Sequence, residues 1–232
     1  TEVPTLPGMV VDRQQITDSV DAYVMELADT ALEHLGTALV VKPEDGGSSI
    51  GITIVDPVRP DTLHSALKSC ARYTSRILIE PFLPEMLELE VAVITDGKQI
   101  IASDPGLLVD PLKSDLRFVT YEQKYLGSQC AYMQIPSGLE ENITRQVSTY
   151  AIAVAQMLHV QGYARIDFFY LPESQTIYLN EINTLPGMTA ASHFPLLAAS
   201  IGYTWERLLT TVIREGFTAD AQRRQRSLIS VE

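Results

Sequence analysis

The chain has 232 residues, of which 46% are hydrophobic and 20% charged, and its formal net charge is −12. This composition is typical of a globular protein, and the acidity argues against nonspecific nucleic-acid binding, which needs clustered positive charge. No segment has the ~18 consecutive apolar residues of a membrane-spanning helix, and the first residues lack the features of a signal peptide, so we expect no membrane partner.

The first 85 residues alternate between helical and strand patterns. Apolar residues recur at helical spacing from Thr17 to Leu35, with Thr17 or Asp18 as the predicted start and Gly36 marking the end. The other predicted elements of this part are a strand over 38–43, a strand over 50–55, a helix over 61–76 and a strand over 77–80. Residues 1–85 are therefore expected to form one α+β lobe.

Residues 86–218 are expected to form a second lobe built on two β-hairpins. The first hairpin spans 88–101 and turns at Asp96-Gly97, a dipeptide that tolerates the positive φ of a tight turn. The second pairs 163–171 with 176–183. The remaining predicted elements are an irregular stretch over 104–136 that is a candidate lid, helices over 139–160, 194–200 and 204–214, and a polar tail over 219–232.

One chemical signal is a lysine directly before a glycine- and serine-rich loop. Lys42 ends a predicted buried strand, and Gly46, Gly47, Ser48 and Ser49 follow it. Glycines let backbone N–H groups approach phosphate oxygens, and serine hydroxyls add donors. Because the lysine precedes the glycines and no helix pattern follows, this is not a Walker A loop. The segment indicates phosphate binding, with an ordinary hairpin loop as the alternative.

A second signal lies on the hairpin of residues 163–183. Residues two apart on a strand share a face, so Arg165 shares a face with Asp167, and Glu181 shares one with Asn183. If residues 172–175 form the turn, Asp167 lies opposite Asn180 or Glu181. Carboxylate and amide oxygens are ligands that Mg²⁺ prefers, so the pattern favours a magnesium site. The alternative is a salt-bridged surface.

Two weaker signals involve a possible nucleotide. Glu80 and Glu88 flank the Pro81-Phe82-Leu83 segment, which resembles a hinge that could hold a purine while Glu88 accepts from ribose hydroxyls. Solvated glutamates are the alternative. Lys124 lies in the candidate lid, where it could close over phosphates.

Taken in order, six segments resemble the D-alanine–D-alanine ligase family of the ATP-grasp superfamily: VVKPEDGGSSIGI, ILIEPFL, ELEVAVI, YEQKYL, YARIDFFY and LNEINTLPGMTAAS. The resemblance runs from about Val40 to Gly202. It implies an α/β fold in which two α+β lobes clasp ATP, with Mg²⁺ or Mn²⁺ as cofactor. It also implies D-alanine as substrate, a role in peptidoglycan synthesis in the cytoplasm, and either a homodimer or a separate chain carrying an N-terminal domain.

The resemblance further implies residue roles. The residues expected to bind the nucleotide are Lys42, Ser48, Glu80, Leu83, Glu88 and Lys124. Those expected to bind the metal are Asp167, Glu181 and Asn183. Those placed with catalysis are Ser49 in the covering loop, Tyr125 in the substrate pocket, and Arg165 with the Gly187 backbone, which would hold the oxyanion. Ser192 is expected to bind the carboxylate of the second substrate.

The implied reaction is amide formation driven by ATP through an acyl phosphate. Lys124-Tyr125 resembles the form found in ligases that use an amine acceptor. His193 follows Ser192 and could tune the choice of acceptor, with an ordinary loop histidine as the alternative. The other three histidines, His34, His64 and His159, lie on helical patterns and are expected to be structural.

One departure from the family concerns the N-terminus. Family members carry a preceding α/β domain, and this sequence begins near the start of their central domain. Two interpretations stay open: a dipeptide ligase whose N-terminal part is missing or supplied by another chain, or a homologue that binds nucleotide without ligating. A ligase with another acceptor is a further alternative. A noncatalytic interaction module would be expected to lose Asp167, Glu181 or Lys42, and all three are present.

The two cysteines carry a prediction of their own. Cys70 and Cys130 lack metal-type spacing and lie in different segments. We therefore expect neither a disulfide nor a zinc site, as is usual in a reducing compartment.

Overall fold

The computed structural model describes residues 2–47, 49–97, 99–109 and 131–229. These residues form two compact units. The N-terminal unit comprises Leu6–Pro84 together with Ala131, and the C-terminal unit comprises residues 2–5, Glu85–Val109 and 132–229. The boundaries predicted from the sequence, after residues 85 and 218, stay a prediction.

The N-terminal unit is a four-stranded antiparallel sheet with two helices. Its elements are β1 (Met9–Asp12), a 3-10 helix (Arg13–Gln15), α1 (Ala22–Leu35), β2 (Leu39–Pro43), β3 (Thr53–Val55), α2 (Pro60–Cys70) and β4 (Arg76–Pro81). The strand order is β1-β4-β2-β3. Buried residues of both helices, such as Leu27 and Leu67, form one core with Val41 and Ile79 of the sheet. This core fixes the strand end that carries Lys42.

Local hydrogen bonds explain where this unit departs from the predicted elements. α1 begins at Ala22 rather than near Thr17, because the Asp21 side chain accepts the Val24 N–H at 3.0 Å and caps the helix there. α2 ends at Cys70 rather than at Arg76. Directly after the helix, the Tyr73 N–H donates a hydrogen bond to the Cys70 carbonyl and closes a turn. β3 is shorter than predicted, and β1 was not predicted.

The C-terminal unit is a six-stranded antiparallel sheet with three helices. Its elements are β5 (Leu87–Asp96), β6 (Gln99–Ala102), β7 (Gly106–Val109), β8 (Tyr132–Gln134), α3 (Glu141–Met157), β9 (Tyr163–Leu171), β10 (Thr176–Asn183), α4 (His193–Ser200) and α5 (Trp205–Ile229). The sheet runs β10-β9-β5-β7-β8, and β6 pairs with β5. Both predicted hairpins are present, and Gly97 has the positive φ of +68° that its turn requires.

Two segments of this unit differ from the sequence prediction. The candidate lid was predicted as an irregular stretch over 104–136, but its ends contain the paired strands β7 and β8. Residues 110–130, with Lys124 and Tyr125, lie outside the described residues. α5 continues through residues expected to form a polar tail. Its last turns contain good helix formers and an ion pair between Asp220 and Arg224 at 2.9 Å, which supports helix at that spacing.

The two faces of this sheet pack against different helices. Alternate residues such as Leu89, Val91, Ile166 and Phe168 form a core with α3. On the other face, Ala92 and Ile94 pack with α4 and α5. Glu90, Arg165 and Asp167 fall on this second face by alternation, so charged groups lie beside an apolar cluster.

A β-bulge in β10 determines which residues share that charged face. The pairing shifts between Leu179 and Glu181, so one extra residue, Asn180, stands in β10. Leu179 and Ile182 consequently both pack against the α3 core, whereas Glu181 and Asn183 take the opposite face.

In the described part of the chain, no helix is both long and apolar enough to cross a bilayer.

Candidate active site

A buried ionic cluster on β5, β9 and β10 is centred on Arg165. Its guanidinium donates two hydrogen bonds to Asp167, Nε to Oδ1 at 2.8 Å and Nη2 to Oδ2 at 2.7 Å. Nε also lies 3.1 Å from Glu90 Oε2, and Nη2 lies 4.0 Å from Glu181 Oε1. The predicted convergence of arginine and carboxylates is therefore present, with Glu90 as an additional member.

Strand register brings these residues together. Asp167 lies opposite Glu90 on β5 and opposite Glu181 on β10, and Asn183 lies opposite Arg165. Of the two partners left open for Asp167, Asn180 and Glu181, the register selects Glu181. The bulge at Asn180 is the physical reason, because it moves Glu181 into that position.

The cluster holds three carboxylates around one guanidinium. The side chains of Glu90, Asp167 and Arg165 are 6%, 11% and 16% exposed, whereas Glu181 is 47% exposed. Burial is the main cause that raises the pKa of Asp167 well above its usual value, and the charges of Glu90 and Glu181 add to this effect. Burial lowers the pKa of Arg165, but its contacts with Asp167, Glu90 and Glu181 outweigh that and raise it. The site therefore carries excess negative charge.

Sequence reasoning missed Glu90, which joins the cluster to α4. Its carboxylate oxygens lie 3.1 Å and 3.0 Å from Nδ1 of His193, the first residue of α4. The available signal was a glutamate at an inward position of the run Glu88 to Ile94, two residues after a glutamate already singled out. The sequence left the role of His193 open, and this contact gives its side chain a defined partner, Glu90.

The loop before α4 brings Gly187 and Ser192 together. A Cβ built on Gly187 would lie 2.7 Å from Ser192 Oγ, so any larger residue at 187 would displace that hydroxyl. Ser192 Oγ accepts the Thr189 N–H at 3.1 Å and lies 2.8 Å from Thr189 Oγ1. The two residues predicted for the oxyanion and for the acceptor carboxylate are thus neighbours.

The N-terminal unit holds a second group of predicted residues. Lys42 on β2 lies 2.6 Å, Nζ to Oε2, from Glu80 on β4, and both side chains are largely buried. Leu83 follows β4 and is partly buried, as is Ser49, which has a φ of 58°. Ser48 lies outside the described residues. Glu88 lies on β5 of the C-terminal unit, opposite Phe169.

The donor chemistry of the C-terminal cluster fits the implied magnesium. The described residues contain no group of three His, Cys, Asp or Glu side chains arranged to hold a metal. The implied set is instead two carboxylates and one amide, Asp167, Glu181 and Asn183, which the register places on one face. Mg²⁺ is typically held by one or two carboxylates, with substrate phosphates and water completing its shell. The excess negative charge favours a cation here.

Known structures share this fold. The "Structure of the D-alanine-D-alanine ligase from Coxiella burnetii" matches with a TM-score of 0.73 and 27% identity over 99% of this chain and 56% of that chain. "D-alanyl-alanine synthetase A" from Vibrio cholerae O1 biovar eltor matches with a TM-score of 0.74 and 27% identity, over 92% and 60%. The predicted α/β fold class is confirmed: the chain has the ATP-grasp fold of the C-terminal part of such ligases.

Sequence comparison leads to the family. A family model described as "D-ala D-ala ligase C-terminus" matches residues 1–214. The D-alanine–D-alanine ligase of Deinococcus radiodurans is 33% identical over 86% of this chain and 55% of its own length, and that of Borreliella burgdorferi ZS7 is 34% identical over 87% and 54%. The chain belongs to the D-alanine–D-alanine ligase family, as the sequence motifs predicted. It spans about half the length of the curated relatives it matches.

Proposed function

We propose that the chain is the nucleotide- and acceptor-binding part of an ATP-dependent ligase that joins two D-alanines. The observation that carries this proposal is the Arg165 cluster, in which Asp167 and Glu181 stand opposite each other on adjacent strands. A purely structural hairpin does not require three carboxylates around one guanidinium on a mostly buried face. Family membership supports the same reaction class.

The proposed reaction has two steps. The carboxylate of one D-alanine attacks the γ-phosphate of ATP, giving an acyl phosphate and ADP. The amine of a second D-alanine then attacks the acyl carbon and displaces phosphate. When bound at Asp167, Glu181 and Asn183, Mg²⁺ would supply positive charge that neutralises the phosphoryl group.

The chain's own residues have distinct parts in this proposal. Lys42, held at the end of β2 by Glu80, contacts phosphate oxygens. Arg165 and the Gly187 backbone stabilise the oxyanion of the tetrahedral intermediate, since fixed donors are worth most where charge develops. Ser192 binds the acceptor carboxylate. The other residues proposed to bind nucleotide are Ser48, Leu83, Glu88 and Lys124, and those proposed to act beside the substrate are Ser49 and Tyr125.

Thermal unfolding with and without Mg-ATP tests the binding part of this proposal. Ligand at about 100 times its dissociation constant should stabilise the wild type by about 2.7 kcal/mol. Lys42→Ala and Glu181→Ala should lose most of that shift. The matched controls, Lys68→Ala on α2 and Glu173→Ala in the β9–β10 turn, alter exposed side chains and should keep it. No shift in the wild type would contradict nucleotide binding by this chain.

Product analysis tests the reaction itself. Incubation with ATP, Mg²⁺ and D-alanine should release ADP and phosphate and give D-alanyl-D-alanine. Nucleotide binding without D-alanine-dependent ADP release would instead favour the homologue that binds without ligating. Release of ADP only with a different amine acceptor would favour the alternative ligase.

A further inference from the structure

The His193–Glu90 pair has the geometry of a proton-accepting dyad. Glu90 Oε1 and Oε2 both lie within 3.1 Å of His193 Nδ1. Arg165 Nε lies 3.1 Å from Oε2 of the same carboxylate and forms an ion pair with it, and a carboxylate accepts hydrogen bonds and cannot donate them. Nδ1 must therefore carry the hydrogen.

That hydrogen bond defines the other ring nitrogen. In a neutral imidazole with hydrogen on Nδ1, Nε2 holds a lone pair and can accept a proton. Within the described residues, Nε2 makes no hydrogen bond, and the His193 side chain is 24% exposed. A carboxylate behind Nδ1 also stabilises the imidazolium that forms when Nε2 takes a proton.

The position of the dyad connects it to the second step. His193 directly follows Ser192, whose hydroxyl lies beside Gly187. An amino-acid amine is mostly protonated at neutral pH and must lose a proton before it can attack. Glu90 on β5 also pairs with Arg165 on β9, whose guanidinium links it to Asp167 on β9 and Glu181 on β10. A proton acceptor beside the acceptor loop is what the second step needs.

We propose that His193, positioned by Glu90, takes the proton from the amine of the acceptor amino acid. This inference rests on the proposed ligase function. One ammonium proton passes to Nε2, and the freed nitrogen lone pair forms the bond to the acyl carbon. The carbon–oxygen bond to phosphate then breaks, and the second nitrogen proton leaves with inorganic phosphate. Glu90 is a positioning residue, since it acts through the imidazole.

Competition between two acceptors tests the proposal in the full chain. Hydroxylamine is largely unprotonated at neutral pH, so it traps the acyl phosphate as a hydroxamate without needing a base. His193→Gln should lower dipeptide formation by about 10²-fold, the usual scale of general base catalysis, while hydroxamate formation stays near wild type. The dipeptide deficit should shrink as the pH rises, because free amine then forms in solution. Glu90→Gln should keep a hydrogen bond and still lose dipeptide formation.

The controls separate this proposal from a structural role. His34→Gln changes an exposed histidine of α1 and should alter neither product. Equal loss of both products in His193→Gln would mean that the histidine only fastens α4 to β5, and no loss would also overturn the proposal. Hydroxamate from the wild type supports the proposed acyl phosphate independently. Absence of both products would contradict the proposed function itself and the inference with it.

The imidazole tautomer gives a readout that needs no turnover. Nitrogen NMR of the chain labelled at histidine, with His193→Gln to assign the signal, should show the hydrogen of the neutral imidazole on Nδ1 and none on Nε2. An Nε2–H tautomer would overturn the proposal, whatever the activity.

Discussion

The two units neutralise buried charge in different ways. In the N-terminal unit, Lys42 is matched by Glu80 across β2 and β4. In the C-terminal unit, Glu90, Asp167 and Glu181 share Arg165. The first arrangement balances its charges, whereas the second has more carboxylates than cations. The N-terminal pair should therefore tolerate change better than the C-terminal cluster, which depends on one guanidinium.

The largest effect is expected from Arg165→Met. It leaves the cluster's carboxylates without their cation, and breaking a buried ion pair costs about 3–5 kcal/mol of the free energy of unfolding. Denaturant titration measures this loss. Arg145→Met, which removes an exposed ion pair with Glu141 on α3, is the control and should cost less than about 1 kcal/mol. Equal losses in the two variants would refute the dependence on Arg165.

The same variant should also depend on pH in a defined direction. The pKa of Asp167 is raised in the folded state, so its protonated form is favoured there. Stability from that protonation is present below the ordinary carboxyl pKa and is lost as pH rises through the raised value. The loss in Arg165→Met should thus be smaller at about pH 5 than at about pH 8. A loss that is larger at the lower pH would contradict this assignment.

A smaller effect is expected from Lys42→Met in the N-terminal unit. Leaving the largely buried Glu80 carboxylate without this partner should cost about 1–3 kcal/mol. Lys42→Met combined with Glu80→Gln should recover part of that loss, because no buried charge is left behind. Chemical denaturation of the single and double variants measures the coupling. An unchanged stability in Lys42→Met would show that the pair contributes nothing.

Gly51 tests the loop beside Lys42. Its φ is +80°, and a Cβ there would lie 2.8 Å from the Tyr73 ring. Gly51→Ala should cost about 1–2 kcal/mol, the strain of a left-handed backbone. Gly47→Ala is the matched control in the same loop, since a Cβ there meets none of the described residues within 4 Å. Thermal unfolding that ranks the two variants equally would contradict the steric account.

The smallest effect at neutral pH concerns Cys70 in the N-terminal core. Burial raises the pKa of this thiol to about 11, so little thiolate forms at about pH 8. In a Cys130→Ser background, iodoacetamide should modify Cys70 slowly until denaturant unfolds the chain. The favoured thiol form stabilises the fold below the ordinary thiol pKa, and this stability is lost as pH rises through 11. Rapid labelling of folded protein would contradict this burial.

Much of the C-terminal site was predictable because strand geometry is regular. Period-two alternation placed Arg165 with Asp167 and Glu181 with Asn183, and the Asp96-Gly97 turn was recognisable from its dipeptide. The family motifs identified the fold class. These inferences depend only on residues that are close together in the chain, so a single sequence is enough to make them.

Long-range contacts were harder to predict. Glu90 and His193 are 103 residues apart, and no local sequence pattern predicts their hydrogen bond. The choice between Asn180 and Glu181 required the bulge, which depends on packing of Leu179 and Ile182 against α3. α5 extends beyond its predicted end at residue 214, because a run of polar helix formers has the same composition as a solvated tail. The Asp220–Arg224 ion pair that supports the helix there is visible only in the structure.

The bulge at Asn180 determines which face of the hairpin carries Glu181 and Asn183. Before the bulge, the odd-numbered residues Ile177 and Leu179 face α3, whereas after it the even-numbered Ile182 does. Deleting Asn180 would remove the bulge and make Leu179 and Glu181 successive residues of a regular strand, so Glu181 and Asn183 would keep the charged face. Regular pairing of the strand with Asn180 retained would instead place Asn180 opposite Asp167 and turn Glu181 and Asn183 toward α3. Homologues with and without the extra residue can therefore carry the same cluster, provided that the extra residue is accommodated as a bulge.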